Sequence, residues 1–275
     1  SFESNTLDSA IDKRIENEAM PKLLALHKKH QVKGTFFFVA TFAMSNPATV
    51  RMVADAGHEV ACHGYDHTDY YDSLTYLEQF KLLDKSKKII EDLSGQKVIS
   101  FRAPALRINK FTVKALEEAG FLYDSSIASQ RFDGPFTSGA LYKLRWLTAP
   151  RAPYYLNYDN PFKKGDSSIL EIPVSALFWP FIGTHMRLSP LITTYIQKLL
   201  SFEAGRINKP LVFLFHPNEC LSFFKKKTEK RGNYFSDQLR HTLKMKNLGE
   251  PAVDLLESIF LRNNYPYARI CDIIV

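Results

Sequence analysis

The stretch Cys62-His63-Gly64-Tyr65-Asp66-His67 sets two histidines four residues apart, directly after the apolar run Glu59-Val60-Ala61-Cys62. It reads as a strand running into a turn or the first turn of a helix. Two imidazoles at this spacing can converge on one metal ion. Neutral imidazole is a usual zinc ligand, and a hydrolytic centre keeps one coordination position open for water. Two histidines are an incomplete set, so a third ligand has to come from elsewhere; without one, the pair reads as surface or capping residues.

Other candidates sit where predicted strands end. His216 follows the apolar run Leu211-Val212-Phe213-Leu214-Phe215. It reads either as a satisfied core residue or as a general acid, since imidazole titrates near neutral pH. Arg102 also follows a strand, with Pro104 fixing the loop behind it. A guanidinium there orients a carboxylate, binds an anion or closes a salt bridge at the strand end. Asp124, in Tyr123-Asp124-Ser125-Ser126, is a partner for Arg102 or His216, or a turn residue. Glu3-Ser4-Asn5 ends a short N-terminal run that reads as the tail of a strand.

The elements that must position these residues alternate. Thr6 to Lys13 reads as loop, Arg14 to His30 as a helix with Pro21 kinking or restarting it, and Thr35 to Ala40 as a strand. A helix follows at Pro47 to Ala56, then a strand at His58 to Cys62. An amphipathic helix spans Leu74 to Leu93, and a strand Val98 to Arg102. Asn109 caps a helix at Lys110 to Ala119, and Phe121 to Ser125 is the next strand. Strand-helix alternation implies parallel βα units, an α/β fold. The active sites of such folds gather at the carboxyl ends of the strands. Residues 128 to 168 are rich in Gly, Pro, Tyr and Asn and read as a long irregular excursion, of the kind that shapes a substrate groove. Beyond it come a strand at Ser168 to Ser175, a helix at Pro190 to Phe202 capped by Ser189, a strand at Pro210 to Phe215, a basic loop and a last helix at Ala252 to Leu261.

Composition bounds the rest. With 275 residues, 45% of them hydrophobic, the chain has ample material for one large core. We read residues 1–275 as one domain, with the excursion at about 128–168 inserted and a basic loop and helical tail at about 221–275. The net charge of +7 suits an anionic partner such as nucleic acid, a phosphorylated lipid or a membrane surface, or else reads as a scattered solvated surface; of these partners nucleic acid is not expected. Cys62, Cys220 and Cys271 form neither a disulfide framework nor a zinc ribbon, which leans towards a reducing compartment. No apolar stretch is long enough to span a membrane. The expected location is the cytoplasm or the cytoplasmic face of a membrane.

Taken in order, Phe2-Glu3, Thr35-Phe36-Phe37, His63-Gly-Tyr-Asp-His67, Phe101-Arg102-Ala-Pro104, Gly120-Phe121-Leu-Tyr123-Asp124-Ser-Ser and Leu214-Phe215-His216-Pro217 resemble the motifs of the polysaccharide deacetylases, the NodB-homology or carbohydrate esterase 4 family. The resemblance covers about residues 1 to 220. It implies a distorted (β/α)7-type barrel and metal-dependent removal of an N-acetyl group from an amino sugar. It also implies roles: His63 and His67 as ligands of a divalent metal, zinc above all, Glu3 as catalytic base, Arg102 as the residue that orients it, His216 as general acid, and Asp124 as the group that tunes His216. The first motif departs from the family's Phe-Asp-Asp or Asp-x-Asp/Glu. Glu3 stands where the base belongs, and the third ligand is Ser4 or, by alternation of side chains along a strand, Asn5. An amide oxygen is a poorer zinc ligand than a carboxylate. Two alternatives therefore stand beside the deacetylase: an amidohydrolase acting on a non-sugar amide, and a carbohydrate-binding homologue with impaired catalysis.

Tyr65, Pro104 and Trp179 are the expected substrate-binding residues. Trp179 lies in the aromatic loop Ala176-Leu177-Phe178-Trp179-Pro180-Phe181-Ile182, which reads as a lid, a sugar-stacking platform, a membrane-touching loop or a strand exit packed on the barrel. The expected partner is an N-acetylated sugar, polymeric or lipid-linked, with peripheral membrane contact through this loop and the basic run Lys225-Lys226-Lys227.

Overall fold

A computed structural model describes residues 9–131, 144–222, 245–263 and 265–273. Glu3 and Asn5, the expected first strand and the basic run at 225–227 lie outside the described residues.

The chain opens with α1 (Ser9–Arg14) and α2 (Met20–Lys29), joined without a break through a π-helical turn, Ile15–Ala19. The helix thus starts five residues before the expected Arg14. Pro21 has no N–H to give, and the wide turn places it in the first turn of α2, where none is needed. The strand-helix alternation then follows as expected: β1 (Thr35–Phe38), α3 (Ala40–Ser45), α4 (Pro47–Asp55), β2 (Glu59–Cys62), α5 (Tyr76–Ser94), β3 (Ser100–Phe101), α6 (Lys110–Glu118) and β4 (Tyr123–Asp124). Asn109 caps α6, and Thr75 with Glu78 forms a capping box at the start of α5.

The described part of the excursion after residue 143 is more ordered than its composition suggests. It contributes β5 (Tyr154–Tyr155), antiparallel to β6 (Leu170–Glu171). A tight hairpin, β7 (Ala176–Leu177) and β8 (Trp179–Pro180), leads into α7 (Gly183–Leu188) and α8 (Pro190–Ile207); α9 (Glu250–Arg262) comes last. Ser189 makes no side-chain cap at α8, contrary to expectation. The run 210–215 is tied to the residues before α7 by Gly183 N–H donating to Leu214 O at 2.8 Å and Ser175 N–H to Val212 O at 3.1 Å.

The main sheet runs β1-β2-β3-β4-β6-β5, parallel except at β5. Its register is a single row: Cys62 pairs with Phe101, Phe101 with Asp124, and Asp124 with Glu171. Between β1 and the run 211–215 no backbone hydrogen bond closes the sheet among the described residues. A cavity of about 730 Å³ lies there instead, with His63 and Arg102 on its wall. Val60, Phe101, Leu83, Ile90, Val113, Leu116 and Phe121 pack into one core between the sheet and α5 and α6.

Asn109 joins three elements. Its Oδ1 accepts from Phe111 N–H and Gln79 Nε2, both at 2.9 Å, and its Nδ2 donates to Leu74 O at 3.0 Å. Asn109→Ala removes the cap, while Gln79 Nε2 keeps Tyr71 O and Leu74 O as acceptors, so it should cost about 1–2 kcal/mol. Denaturant unfolding of the two proteins measures this directly.

Candidate active site

His63 leaves β2 as the first residue past the strand, and its backbone N–H still pairs with Phe38 O at 2.7 Å. Gly64 then turns the chain at φ +83°, where a Cβ would sit 3.2 Å from Pro104 Cγ and 3.3 Å from the Tyr71 ring. Glycine is required there on both counts. The turn is locked by carboxylates: Asp66 Oδ1 accepts from Thr68 N–H and Thr68 Oγ1, at 3.0 and 2.7 Å, and Asp69 Oδ2 accepts from Asp66 N–H at 2.8 Å. It returns His67 to His63, with ring centroids 5.4 Å apart.

His63 is fully sequestered. Its Nδ1 lies 2.5 Å from Arg102 O, so Nδ1 carries the proton and donates. Nε2, left with its lone pair, is buried with no hydrogen-bond partner among the described residues. Burial holds the imidazole well below its usual pKa, with His67 adding to the effect. A neutral imidazole whose far nitrogen is fixed by a carbonyl and whose near nitrogen is unsatisfied has the chemistry of a metal ligand. Among the described residues no third His, Cys, Asp or Glu joins the pair. The described donor set fits a divalent metal as far as it goes; the expected third ligand, Asn5, and the expected base, Glu3, lie outside it.

Arg102 is buried beside this pair. Its Nε donates to Ser125 O at 2.8 Å, its Nη2 to Ser125 Oγ at 2.7 Å, and its guanidinium lies over Phe37, 4.2 Å from the ring centroid. Burial lowers its pKa to about 10, against the pull of Glu171 and Asp124. Asp124 is equally buried; its Oδ1 accepts from Ser126 Oγ, which in turn accepts from Ala103 N–H at 2.8 Å.

The carboxylate that meets His216 is Glu219, not Asp124. Glu219 Oε1 lies 3.4 Å from His216 Nδ1 and accepts from His216 N–H at 3.2 Å. Its other oxygen accepts from Arg187 Nε at 2.5 Å, and both side chains of that ion pair are almost wholly buried. Burial alone would raise the Glu219 carboxyl; His216 and Arg187 together hold it below the ordinary range. The pairing reflects distance along the chain: a short 3-10 turn, Pro217–Cys220, swings Glu219 back onto His216, whereas Asp124 is held on the sheet by its own neighbours. The spacing His216-Pro-Asn-Glu219 was the signal in the sequence. Glu171 and Arg187 gave none, because nothing local marks a residue that a distant strand or helix will bury.

Phe215 and Pro217, on either side of His216, line the same cavity as His63 and Arg102. The structure thus brings the histidine pair, the arginine loop and the His216 segment together, with Asp124 behind Arg102. The expected substrate residues Tyr65, Pro104 and Trp179 are not part of that lining. Tyr65 carries Lys85 over its ring, Pro104 packs against Gly64, and Trp179 is exposed and meets His185.

Arg187→Ala leaves a buried carboxylate without its cation and should cost about 3–5 kcal/mol at neutral pH. In the intact protein Glu219 is held below its ordinary pKa. Its contribution is therefore present above the usual glutamate range and lost as pH falls through the folded value. In the variant the pKa rises instead. The stability gap between the two proteins should narrow on acidification towards about pH 4, as thermal unfolding across pH would record.

Parts of the chain match known proteins. Residues 5–123 match the family model described as polysaccharide deacetylase. A peptidoglycan deacetylase of Helicobacter pylori is 29% identical over 150 residues, 54% of this chain and 44% of its own. A peptidoglycan deacetylase-like protein of Gibberella zeae is 38% identical over 96 residues, 35% of this chain and 28% of its own. The chain therefore spans less than half the length of these relatives. A crystal structure from Mycobacterium smegmatis, assigned to the polysaccharide deacetylases, superposes with a TM-score of 0.58 at 22% identity, covering 94% of this chain and 82% of that one, and supports the fold. His63, His67 and Arg102 all lie inside the stretch 5–123 that matches the polysaccharide deacetylase model, so this part of the chain is similar to the polysaccharide deacetylases.

Proposed function

We propose that this protein hydrolyses the N-acetyl group of an amino sugar, and that a divalent metal, zinc first among candidates, is held by His63 and His67 with Asn5 as the third ligand. The observation that carries the reading is the unpartnered, buried Nε2 of His63 beside His67, its other nitrogen tied to Arg102 O. When bound, such a metal lowers the pKa of water and polarises an amide carbonyl. The protein's own groups do the rest. Glu3 removes the proton of the attacking water, and Arg102 orients Glu3. His216, its Nδ1 turned to Glu219, keeps Nε2 to deliver a proton to the departing amine. The Helicobacter pylori relative named above is a peptidoglycan deacetylase, which makes a polymeric N-acetylated glycan the first substrate to test.

Metal analysis of the purified protein tests the ligand assignment. About one zinc per chain is expected, lost in His63→Ala. Sugar binding without metal at any pH would overturn the reading in favour of a homologue that kept the cleft and lost catalysis. His216→Ala should lower turnover about 10²–10⁴-fold with metal content unchanged, as befits a proton donor. An unaffected rate removes His216 from that role.

A peripheral contact with a membrane, where a lipid-linked sugar would be met, is favoured by one further observation. Leu191, Ile192, Tyr195, Leu199 and Phe202 on α8 are all exposed, Leu191 at 86% and Phe202 at 66%. They fall within an arc of about 100° on the helix. The charged residues exposed among them, Lys198 and Arg206, are cations. An apolar stripe edged by cations suits the surface of an anionic bilayer; among the described residues no helix is long and apolar enough to cross one. The protein should co-sediment with phosphatidylglycerol vesicles and much less with phosphatidylcholine, and a Leu191→Ser, Tyr195→Ser, Phe202→Ser variant should lose about tenfold or more of that binding. Equal sedimentation of variant and parent removes α8 from the contact.

A further inference from the structure

Two carboxyl groups meet in the dry interior of the sheet. Asp124 and Glu171 are register partners on β4 and β6, and both are fully buried. Each uses one oxygen on a fixed donor: Asp124 Oδ1 accepts from Ser126 Oγ, and Glu171 Oε1 accepts from Ile127 N–H at 2.9 Å. The second oxygen of each, Asp124 Oδ2 and Glu171 Oε2, is buried and has no donor from any other group among the described residues. Two ionised carboxylates side by side with unsatisfied oxygens are strongly unfavourable in such a place. One proton held between those two oxygens removes both faults.

Charge balance leads to the same count. The charged or titratable groups acting on the pair, among the described residues, are Arg102 from the end of β3 and Tyr154 from β5. Tyr154 is neutral: burial, with the two carboxyls adding to it, raises its phenol, whose O–H donates to Pro161 O at 2.9 Å. Arg102 brings one positive charge. Two carboxylates would leave one negative charge uncompensated, whereas a carboxylate and a carboxylic acid balance the guanidinium. Burial pushes Asp124 up to about 6 and Glu171 further above its ordinary value, which agrees with the geometry.

We propose that Glu171 is a positioning residue for Arg102: it carries the proton of an acid–carboxylate pair with Asp124, whose single negative charge holds the guanidinium on Ser125 beside the His63 site. The role of Arg102 rests on the reading given under Proposed function; the protonation of Glu171 does not. Replacement by glutamine keeps an acceptor for Ile127 N–H and offers Asp124 a donor, so Glu171→Gln mimics the protonated form.

Infrared spectroscopy and thermal unfolding of the full chain, without substrate or added metal, decide the matter. At neutral pH the parent should show the carbonyl stretch of a protonated carboxylic acid, absent from Glu171→Gln and from Asp124→Asn. Because the folded protein holds a proton that the unfolded chain releases above the ordinary carboxylate range, the stabilisation is full at acid pH. It fades as pH rises through the folded value. The parent should therefore lose stability between about pH 5 and pH 9 more steeply than Glu171→Gln, by about one proton in the slope. An absent acid band in the parent overturns the proposal, as does a band that survives in Asp124→Asn or a Glu171→Gln profile parallel to the parent's. If Glu171→Gln fails to fold, the spectra of the parent and Asp124→Asn still decide. None of these outcomes bears on whether the protein is a deacetylase, which metal content and turnover test separately.

Discussion

The site depends on the lateral register of four parallel strands. Cys62, Phe101, Asp124 and Glu171 stand in one row, so the next residue of each strand falls in a second row at the strand ends. That second row is a relay. His63 Nδ1 donates to Arg102 O, the Arg102 side chain donates to Ser125, and Ser125 Oγ donates to Ile172 O at 2.7 Å. Each link is a side chain satisfying the backbone or hydroxyl of the neighbouring strand. A slip of one residue in any strand would break it and turn every side chain of that strand to the other face.

The same row places charge where water is absent, and the structure meets the cost by pairing. Arg102 sits on Ser125 and Phe37 with two carboxyls at hand, and Arg187 and Glu219 neutralise one another behind His216. Space is as constrained as charge. A Cβ at Gly183 would lie 2.3 Å from Glu219 Oε1, so the position one turn before Arg187 on α7 has to be glycine for the carboxylate to reach His216. Gly64 has the matching part in the histidine turn, between Pro104 and Tyr71.

Much of this was legible in the chain. The alternation of strands and helices, the Asn109 cap and the positions of His63 and Arg102 past strand ends follow from local apolar periodicity and turn chemistry, which the folded protein keeps. The ordered motifs pointed to the same family as the model that residues 5–123 match. Local signals failed where a distant element intervenes. The helix began at Ser9 because a π turn absorbs Pro21, Ser189 does not cap, and the excursion supplies β5 to the sheet edge.

The sequence by itself determined which residues stand at strand ends, because hydrophobic periodicity and glycine or proline punctuation act over a few residues. It therefore named the histidine pair and the arginine. Only the tertiary structure decided what those residues touch. Asp124 faces Glu171 across the sheet although 47 residues separate them in the chain. Glu219 is anchored by Arg187 from a different helix. Such pairings are set by strand register and by the cost of leaving a buried charge alone, and both arise only once the chain has closed on itself.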